Sequence, residues 1–163
     1  MGFLLPAAVV IILDQIAKQF FWHLGKNFDV IDGILRITLV KNPGAAFGVY
    51  HGGRTFFVIA SVLASILVTY IGLRTPCARK GIRFLLGLIL GGAIGNLIDR
   101  VLAGEVIDFI DMGIRQTRWP VYNIADMAVT IGAAGLVLVY AFRRGDDDIK
   151  TPEGHAGPTH ESS

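Results

Sequence analysis

The sequence reads Glu105-Val106-Ile107-Asp108-Phe109-Ile110-Asp111 after its third apolar segment, and Tyr122-Asn123-Ile124-Ala125-Asp126 where the fourth begins. Asp108 stands among apolar side chains, and Asp126 opens a run that is otherwise apolar as far as Phe142. An ionised carboxylate in apolar surroundings is costly unless it is paired or has a function. These two acids are therefore the first candidates for a functional site, and the hypothesis is that the rest of the chain holds them together at a membrane surface.

The composition is that of a membrane protein. Hydrophobic residues make up 53% of the 163 residues and charged residues 17%, whereas soluble domains have about 25% charged residues; the mean hydropathy is +0.57. A net charge of +2, with no basic patch among the aromatic residues, gives no indication of nucleic-acid binding. The single cysteine, Cys77, cannot form an internal disulfide and has no nearby histidine, so it is interpreted as incidental.

Four segments are apolar enough to cross a bilayer, whose core needs about 20 residues of helix. The predicted spans are residues 3–23, 55–73, 84–101 and 122–142. A secretory signal peptide is the alternative for the first segment, but the basic n-region and the small-residue cleavage site are missing. We expect one membrane-embedded domain over residues 1–145, followed by a disordered polar tail over 146–163.

The connection between the first two spans has a different character. Leu35, Ile37 and Leu39 alternate with Arg36, Thr38 and Val40, which predicts a half-buried strand. Asn42-Pro43-Gly44-Ala45-Ala46-Phe47-Gly48 follows, and its glycine, proline and small residues indicate either simply a tight turn or a place of close backbone approach. Local chemistry leaves both interpretations open.

A second extended segment is predicted after the third span. Val106–Ile110 is β-branched and apolar, so it is expected to be extended. Because side chains alternate along a strand, Asp108 and Asp111 should point to opposite sides. Only one of them can then face a site that Asp126 also faces.

Two further polar groups lie within the apolar spans. Asp14 and Lys18 are four residues apart and can pair on one helical face, either as a neutralising pair inside a bundle or as the border of a polar site. Asn96, Asp99 and Arg100 share a face at the end of the third span, either as an interfacial cap with a snorkelling arginine or as part of a site.

Charge in the connections predicts the orientation. The short connection Arg74–Arg83 is basic and contains no acid, which is typical of a cytoplasmic loop. Arg143 and Arg144 after the last span agree with that assignment. We therefore expect both termini in the cytoplasm and the connections 24–54 and 102–120 on the outer side.

This arrangement collects polar side chains at the outer ends of the helices. No cluster of histidine or cysteine favours zinc, no loop signature favours calcium, and no serine or cysteine has a suitably placed histidine. No metal or other cofactor is predicted. The candidate residues are Asp14, Asn42, Asn96, Asp99, Arg100, Asp108, Asn123 and Asp126.

A pair of aspartates in a low-dielectric site shares one proton, because both cannot ionise. One can act as the base on a water and the other as the acid on a carbonyl, which is aspartyl peptide hydrolysis. A proton-coupled carrier and a non-catalytic adaptor are the alternatives. No internal repeat is found, and the acids gather at one end of the helices, which disfavours a carrier. An adaptor would not need so many carboxylates and amides.

Five blocks of sequence occur in order: DQIAK at 14–18, NPGAAFG at 42–48, GGAIGNLIDR at 91–100, VIDF at 106–109 and YNIAD at 122–126. Together they resemble the bacterial lipoprotein signal peptidases, the signal peptidase II family. The resemblance implies an all-α membrane fold, a four-transmembrane-helix bundle with a small extracytoplasmic β-sheet cradle over about residues 25–54. Tyr122 departs from the family pattern, in which phenylalanine is usual.

The resemblance also implies an activity. A member would be a monomeric aspartyl endopeptidase of the inner membrane, with its site at the periplasmic face, in contact with phospholipid. It would cut lipid-modified prolipoproteins before the diacylglyceryl-modified cysteine, with Asp108 and Asp126 as the catalytic pair. The other residues that the resemblance or the residue pattern places in or beside the site are Asp14, Lys18, Asn42, Gly44, Asn96, Asp99, Arg100 and Asn123.

Overall fold

The computed structural model describes residues 2–43 and 53–149. It contains four helices that are long and apolar enough to cross a membrane, so the predicted four-helix architecture is confirmed. The helices are α1 (Leu4–Leu24), α2 (Arg54–Arg74), α3 (Lys80–Leu102) and α4 (Ile124–Ile149).

Two helix ends differ clearly from the expected spans. α3 begins at Lys80 rather than at residue 84, because its first turn is charged and does not register as apolar. α4 continues to Ile149, so the helix includes the first residues of the segment 146–163. A helix can extend beyond the apolar stretch since each added residue still gains a backbone hydrogen bond. Residues 150–163 lie outside the described part of the chain.

α3 is the central helix, and α1, α2 and α4 all pack against it. Close approach depends on glycine at two adjacent positions. A Cβ on Gly91 would come within 2.7 Å of the carbonyl oxygen of Ala7 in α1, and a Cβ on Gly92 would overlap the carbonyl oxygen of Ala125 in α4. The missing side chains let the three backbones approach closely, and Gly92 thereby sets the position of the residue that precedes Asp126.

The apolar core lies at the end of the bundle where α1 and α3 begin and α2 ends. Its buried members are Phe3, Ala7, Val68, Ile82, Leu86 and Leu90. Elsewhere the helices expose large apolar side chains such as Leu5 and Leu73, which are 72% and 70% exposed. A bundle in lipid can leave such residues outside, because lipid tails are as apolar as leucine.

A four-stranded antiparallel sheet lies at the opposite end of the bundle. Its strands run in the order β1 (Phe28–Ile31), β2 (Leu35–Asn42), β3 (Val106–Ile114) and β4 (Thr117–Arg118). Both predicted strands are present. The sheet is, however, larger than a cradle built from residues 25–54 alone, because the connection between α3 and α4 supplies half of its strands.

The pairing of β2 with β3 determines what faces the site. Val40 lies opposite Asp108 and Asn42 opposite Val106, after an irregularity in register between Ile37 and Val40. The end of β2 is thereby brought next to the start of β3. Residues 44–52, which follow β2, lie outside the described residues.

Candidate active site

Asp108 is the third residue of β3, and its side chain is only 1% exposed. Asn42 donates from Nδ2 to one carboxyl oxygen of Asp108 over 2.9 Å. Asn123 donates from Nδ2 to the other oxygen over 2.6 Å. Each oxygen of this buried carboxyl group therefore has an amide donor, which satisfies it and fixes its orientation.

Asp126 lies in the first turn of α4. Asn96 donates from Nδ2 to Oδ1 of Asp126 over 2.7 Å. The backbone N–H of Asn123 donates to Oδ2 over 3.3 Å, and the backbone N–H of Asp126 donates back to Oδ1 of Asn123 over 2.9 Å. This reciprocal pair resembles a capping box, and the positive end of the helix dipole favours a negative charge at this position.

Asn123 connects the two acids. Its side chain donates to Asp108, and its backbone N–H donates to Asp126. Both acids also line one cavity of about 1190 Å³, which Asn42 and Arg100 border as well. The two carboxyl groups that the sequence singled out are thus brought to the same cavity from different elements.

The environment of Asp108 favours its protonated form. Burial raises the pKa of Asp108 to about 6. The hydrogen bond from Asn42 acts in the opposite direction, and the negative charge of Asp126 adds to the rise in the pKa of Asp108. Asp108 can therefore carry a proton at a pH at which an ordinary aspartate is fully ionised.

A buried ion network lies behind the cavity. Nζ of Lys18 is 2.7 Å from Asp14 and 2.8 Å from Asp99, and none of the three side chains is more than 7% exposed. The predicted pairing of Asp14 with Lys18 is confirmed. Oδ1 of Asp14 also accepts from the backbone N–H of Ala125 over 2.9 Å, so the network holds the first turn of α4. The pair formed by Asp14 and Lys18 thus both neutralises charge and borders the site.

The network also orients Asn96. Nζ of Lys18 donates to Oδ1 of Asn96 over 3.1 Å, and Nδ2 of Asn123 donates to the same oxygen over 3.1 Å. An ammonium group has no acceptor, so the carbonyl end of Asn96 must face Lys18. The amide NH₂ then faces Asp126, to which it donates.

Gln15 is a member of the network that the sequence reasoning did not select. Its Nε2 donates to Asp99 over 3.0 Å and to the carbonyl oxygen of Gly95 over 3.3 Å. The available signal was an amide next to Asp14 inside an apolar helix. A single amide can be accommodated in many ways, so its partner became evident only from the packing of α1 on α3.

Arg100 borders the cavity on the side of α2. Its Nη1 is 3.5 Å from Oγ of Ser61 and 3.4 Å from the carbonyl oxygen of Asn96, and its guanidinium lies 5.5 Å from the ring centre of Phe57. Among the described residues, Nε of Arg100 is buried without a hydrogen-bond partner. The side chain is partly buried beside the acids, rather than extended to the surface as a simple cap would be.

Asp111 is directed elsewhere, as the alternation of the strand predicted. Nε of Arg118 donates to Asp111 over 2.9 Å, and Oγ1 of Thr38 is 3.5 Å from it. Of the other predicted residues, Gly44 lies outside the described part of the chain. In the described part, no group of three or more histidine, cysteine, aspartate or glutamate side chains could hold a metal ion.

Comparison with known proteins identifies the family. Residues 6–142 match the family model described as signal peptidase (SPase) II. The chain belongs to the signal peptidase II family. It is 40% identical over 145 residues to the lipoprotein signal peptidase of Syntrophus aciditrophicus (strain SB), a match that covers 83% of this chain and 89% of the relative. It is 38% identical over 138 residues to that of Staphylococcus aureus (strain MRSA252), with 83% and 85% covered.

Solved structures agree with this membership. A bacterial membrane enzyme determined at 2.3 Å by the in meso method superposes with a TM-score of 0.80 at 34% identity, over 95% of this chain and 94% of that one. A second, at 1.9 Å, gives 0.76 at 37% identity, over 85% and 91%. As a signal peptidase II the chain is a membrane protease, and membership implies cleavage of signal peptides from prolipoproteins. The carrier and adaptor alternatives are set aside.

Proposed function

We propose that the chain is an aspartyl endopeptidase that removes the signal peptide from diacylglyceryl-modified prolipoproteins by cutting before the lipid-modified cysteine. One observation supports the assignment of the chain as an aspartyl peptidase. Asp108 and Asp126 line the same cavity, and Asn123 donates a hydrogen bond to each of them. Two carboxyl groups held in this way can share a proton and hold a water between them.

The surroundings of the two acids suggest which one is the base and which one is the acid in the reaction. Asp126 accepts two hydrogen bonds at the N-terminus of α4, where a carboxylate is stabilised, so it is the base that takes a proton from the water. Asp108, with a pKa raised to about 6, is the acid that protonates the oxygen of the scissile carbonyl. The water oxygen bonds to the carbonyl carbon and gives a tetrahedral diol.

Collapse of this intermediate completes the reaction. Asp126 passes its proton to the leaving nitrogen as the C–N bond breaks, and Asp108 takes a proton back from the diol. A free carboxyl end and a free amine result, and the pair again holds one proton. The asparagines donate throughout, so the carboxyl groups keep their orientation at each step.

The supporting residues act through the pair. Asn42 and Asn123 orient Asp108, and Asn96 orients Asp126. Lys18 orients Asn96 through a hydrogen bond, while Asp14 and Asp99 neutralise the positive charge of Lys18. Gly44 is proposed to belong to the site through its motif alone.

The same proposal includes a location. The chain lies in the bacterial inner membrane as a monomer in contact with phospholipid, with both termini in the cytoplasm and the cavity at the periplasmic face. Its substrates are lipid-modified prolipoproteins. The basic connection from Arg74 to Arg83 supports this orientation, and the sheet that borders the cavity lies at the opposite end of the bundle.

The test is cleavage of a lipidated precursor by purified Asp108→Asn and Asp126→Asn variants. Each change is expected to lower kcat/KM by about a thousandfold or more, because an amide can neither take nor supply the required proton. Circular dichroism and gel filtration in detergent check that each variant is folded.

Asp111→Asn is the matched control, because it is an acid of the same strand that pairs with Arg118. It should retain most of the activity of the unmodified enzyme. Retained turnover in either variant of the pair, or an equal loss in Asp111→Asn, would exclude the proposed roles.

A further inference from the structure

Tyr122 lies on the wall of the larger cavity, and its hydroxyl group has no part in the proposed chemistry. The hydroxyl contacts Sδ of Met112, and it has no other hydrogen-bond partner in the described part of the chain. A thioether sulfur is a weak acceptor. The O–H group can therefore exchange this contact for a stronger acceptor when a ligand fills the cavity.

The backbone of Tyr122 is fixed against β3. Its N–H donates to the carbonyl oxygen of Ile110 over 3.0 Å, and its carbonyl oxygen accepts from the N–H groups of Phe109 and Ile110 over 3.1 and 2.8 Å. Phe109 follows Asp108 directly, and Asn123, which donates to both acids, follows Tyr122. The same pairing therefore fixes the position of the hydroxyl relative to the two acids.

The hydroxyl is separated from the acids along β3. Asp108 and Met112 share one face of β3 and are four residues apart, which is about 13 Å in a strand. In the proposed substrate, the nearer ester carbonyl oxygen of the diacylglyceryl group is about nine bonds from the scissile carbon, a reach of about 11 Å. With a hydrogen bond of about 3 Å at each end, this length spans the distance from Asp108 to the hydroxyl of Tyr122.

The cavity wall beyond Tyr122 is apolar and open. The backbone N–H of Trp119 donates to the carbonyl oxygen of Met112 over 2.8 Å, so these two residues are neighbours. Trp119 and Ile114 also line the cavity and are 70% and 74% exposed. Such a surface suits acyl chains, whereas a peptide segment would leave its backbone polar groups without partners there. An ester carbonyl, which begins each acyl chain, is thus the acceptor that fits this wall.

We propose that the hydroxyl of Tyr122 donates a hydrogen bond to an ester carbonyl of the diacylglyceryl group and makes the enzyme selective for the esterified lipid. This inference rests on the proposed function, because it names the group of the precursor that Tyr122 recognises. Burial raises the pKa of the Tyr122 hydroxyl, so the group keeps its proton and remains a donor at neutral pH. Phenylalanine, the usual residue at this motif position, keeps the ring and lacks the donor. The hydroxyl therefore contributes selectivity and takes no part in the bond cleavage.

Two lipopeptide substrates test the contact. One carries diacylglyceryl-cysteine, and the other carries the matched dialkylglyceryl ether, which has the same chain lengths but no ester carbonyl. Tyr122→Phe removes the donor and keeps the ring. Tyr140→Phe is the matched control, because it makes the same chemical change at a 53% exposed position of α4 outside the residues that line the cavity. KM and kcat are measured for each enzyme with both substrates.

For the diester, Tyr122→Phe should raise KM about three- to tenfold, which is the usual effect of one neutral hydrogen bond. It should leave kcat within about twofold, because the ester is remote from the reacting carbonyl and its binding energy is the same in the ground and transition states. For the diether, the unmodified enzyme should already have the raised KM, and Tyr122→Phe should change it by less than about twofold, because the contact is already absent.

Three results would overturn the inference. Equal losses on the two substrates would assign Tyr122 a structural role, and an unchanged KM for the diester, or the same rise in Tyr140→Phe, would show that no such bond forms. Each of these results leaves the proposed function standing as long as the unmodified enzyme cleaves the diester. Absence of that cleavage refutes the proposed function itself.

Discussion

The two acids differ in what surrounds them, residue by residue. Asp108 is almost fully buried and is held by two asparagine side chains. Asp126 is open to the cavity and lies where a helix dipole stabilises negative charge. This asymmetry is present before any substrate binds, and the burial of Asp108 favours its protonated form.

The first prediction follows from this preference and concerns Asn42→Ala. In the proposed mechanism Asp108 is the acid, so kcat/KM for a diacylglyceryl lipopeptide should fall as the pH rises above about 6, the pKa of this carboxyl group. The hydrogen bond from Asn42 lowers that pKa. Its removal should therefore raise the pKa of Asp108 and move the alkaline limb of the pH profile to higher pH.

Thr38→Val is the control for this measurement. Thr38 lies on the same strand but contacts Asp111 rather than Asp108, so its replacement should leave the alkaline limb in place. An unchanged limb in Asn42→Ala, or an equal shift in Thr38→Val, would mean that Asp108 does not carry the proton of the pair.

Lys18 shows how a residue can be important without contacting the cavity. It is buried with two acids, and a buried ion network is poor evidence for stability because desolvation opposes the attraction between the charges. Its contacts suggest a different use. Lys18 accepts no hydrogen bond, so it leaves Asn96 only one orientation, and that orientation supplies the donor to Asp126.

Among the elements, α3 combines two requirements. Its middle must let α1 and α4 approach closely, which its glycines allow, and its end must present Asn96, Asp99 and Arg100 near the acids. Gly92 serves both requirements, since it packs against Ala125, the residue before Asp126.

The second prediction compares two glycines of α3. Gly92→Ala would place a Cβ against the carbonyl oxygen of Ala125, and α4 would have to move. We expect a loss of about 1–3 kcal/mol in the free energy of unfolding, typical of overpacking. A fall in kcat should accompany it, because Asp126 moves with α4. Thermal unfolding in detergent and turnover of the lipopeptide measure the two effects.

Gly81→Ala is the matched control in the same helix. A Cβ at Gly81 would have no neighbour within 4 Å, and alanine is favoured over glycine in a helix by about 1 kcal/mol. This variant should be as stable as the unmodified protein or slightly more stable, with unchanged turnover. Similar losses in both variants would contradict the packing explanation.

Considered as a whole, the molecule is polarised along its long axis. The sheet and the buried polar network lie at one end of the bundle, and the apolar core with the short basic connection lies at the other. If the basic connection faces the cytoplasm, the cavity faces the other side of the membrane.

The third prediction tests that orientation. Cys77 is an exposed free cysteine in the connection between α2 and α3. A membrane-impermeant maleimide should label it in spheroplasts only after permeabilisation. In a Cys77→Ser background, Gln116→Cys, an exposed position between β3 and β4, should be labelled without permeabilisation. The reverse pattern would overturn the proposed topology.

Much of the architecture was predictable because the responsible signals are local. A span is recognised by about 20 apolar residues in a row, a strand by alternation, and the family by five short blocks in order. Asp108 and Asp126 stood out because each is an acid within apolar sequence. None of these inferences depends on which element packs against which.

The tertiary structure alone decided the rest, because it depends on contacts between residues distant in sequence. Asn42 reaches Asp108 across 66 positions, and Gln15 reaches Asp99 across 84. The addition of β3 and β4 to the sheet and the orientation of Asn96 follow in the same way. Sequence determines which groups are available to the site, whereas packing determines which donor faces which acceptor, since a hydrogen bond requires its two atoms to lie about 3 Å apart.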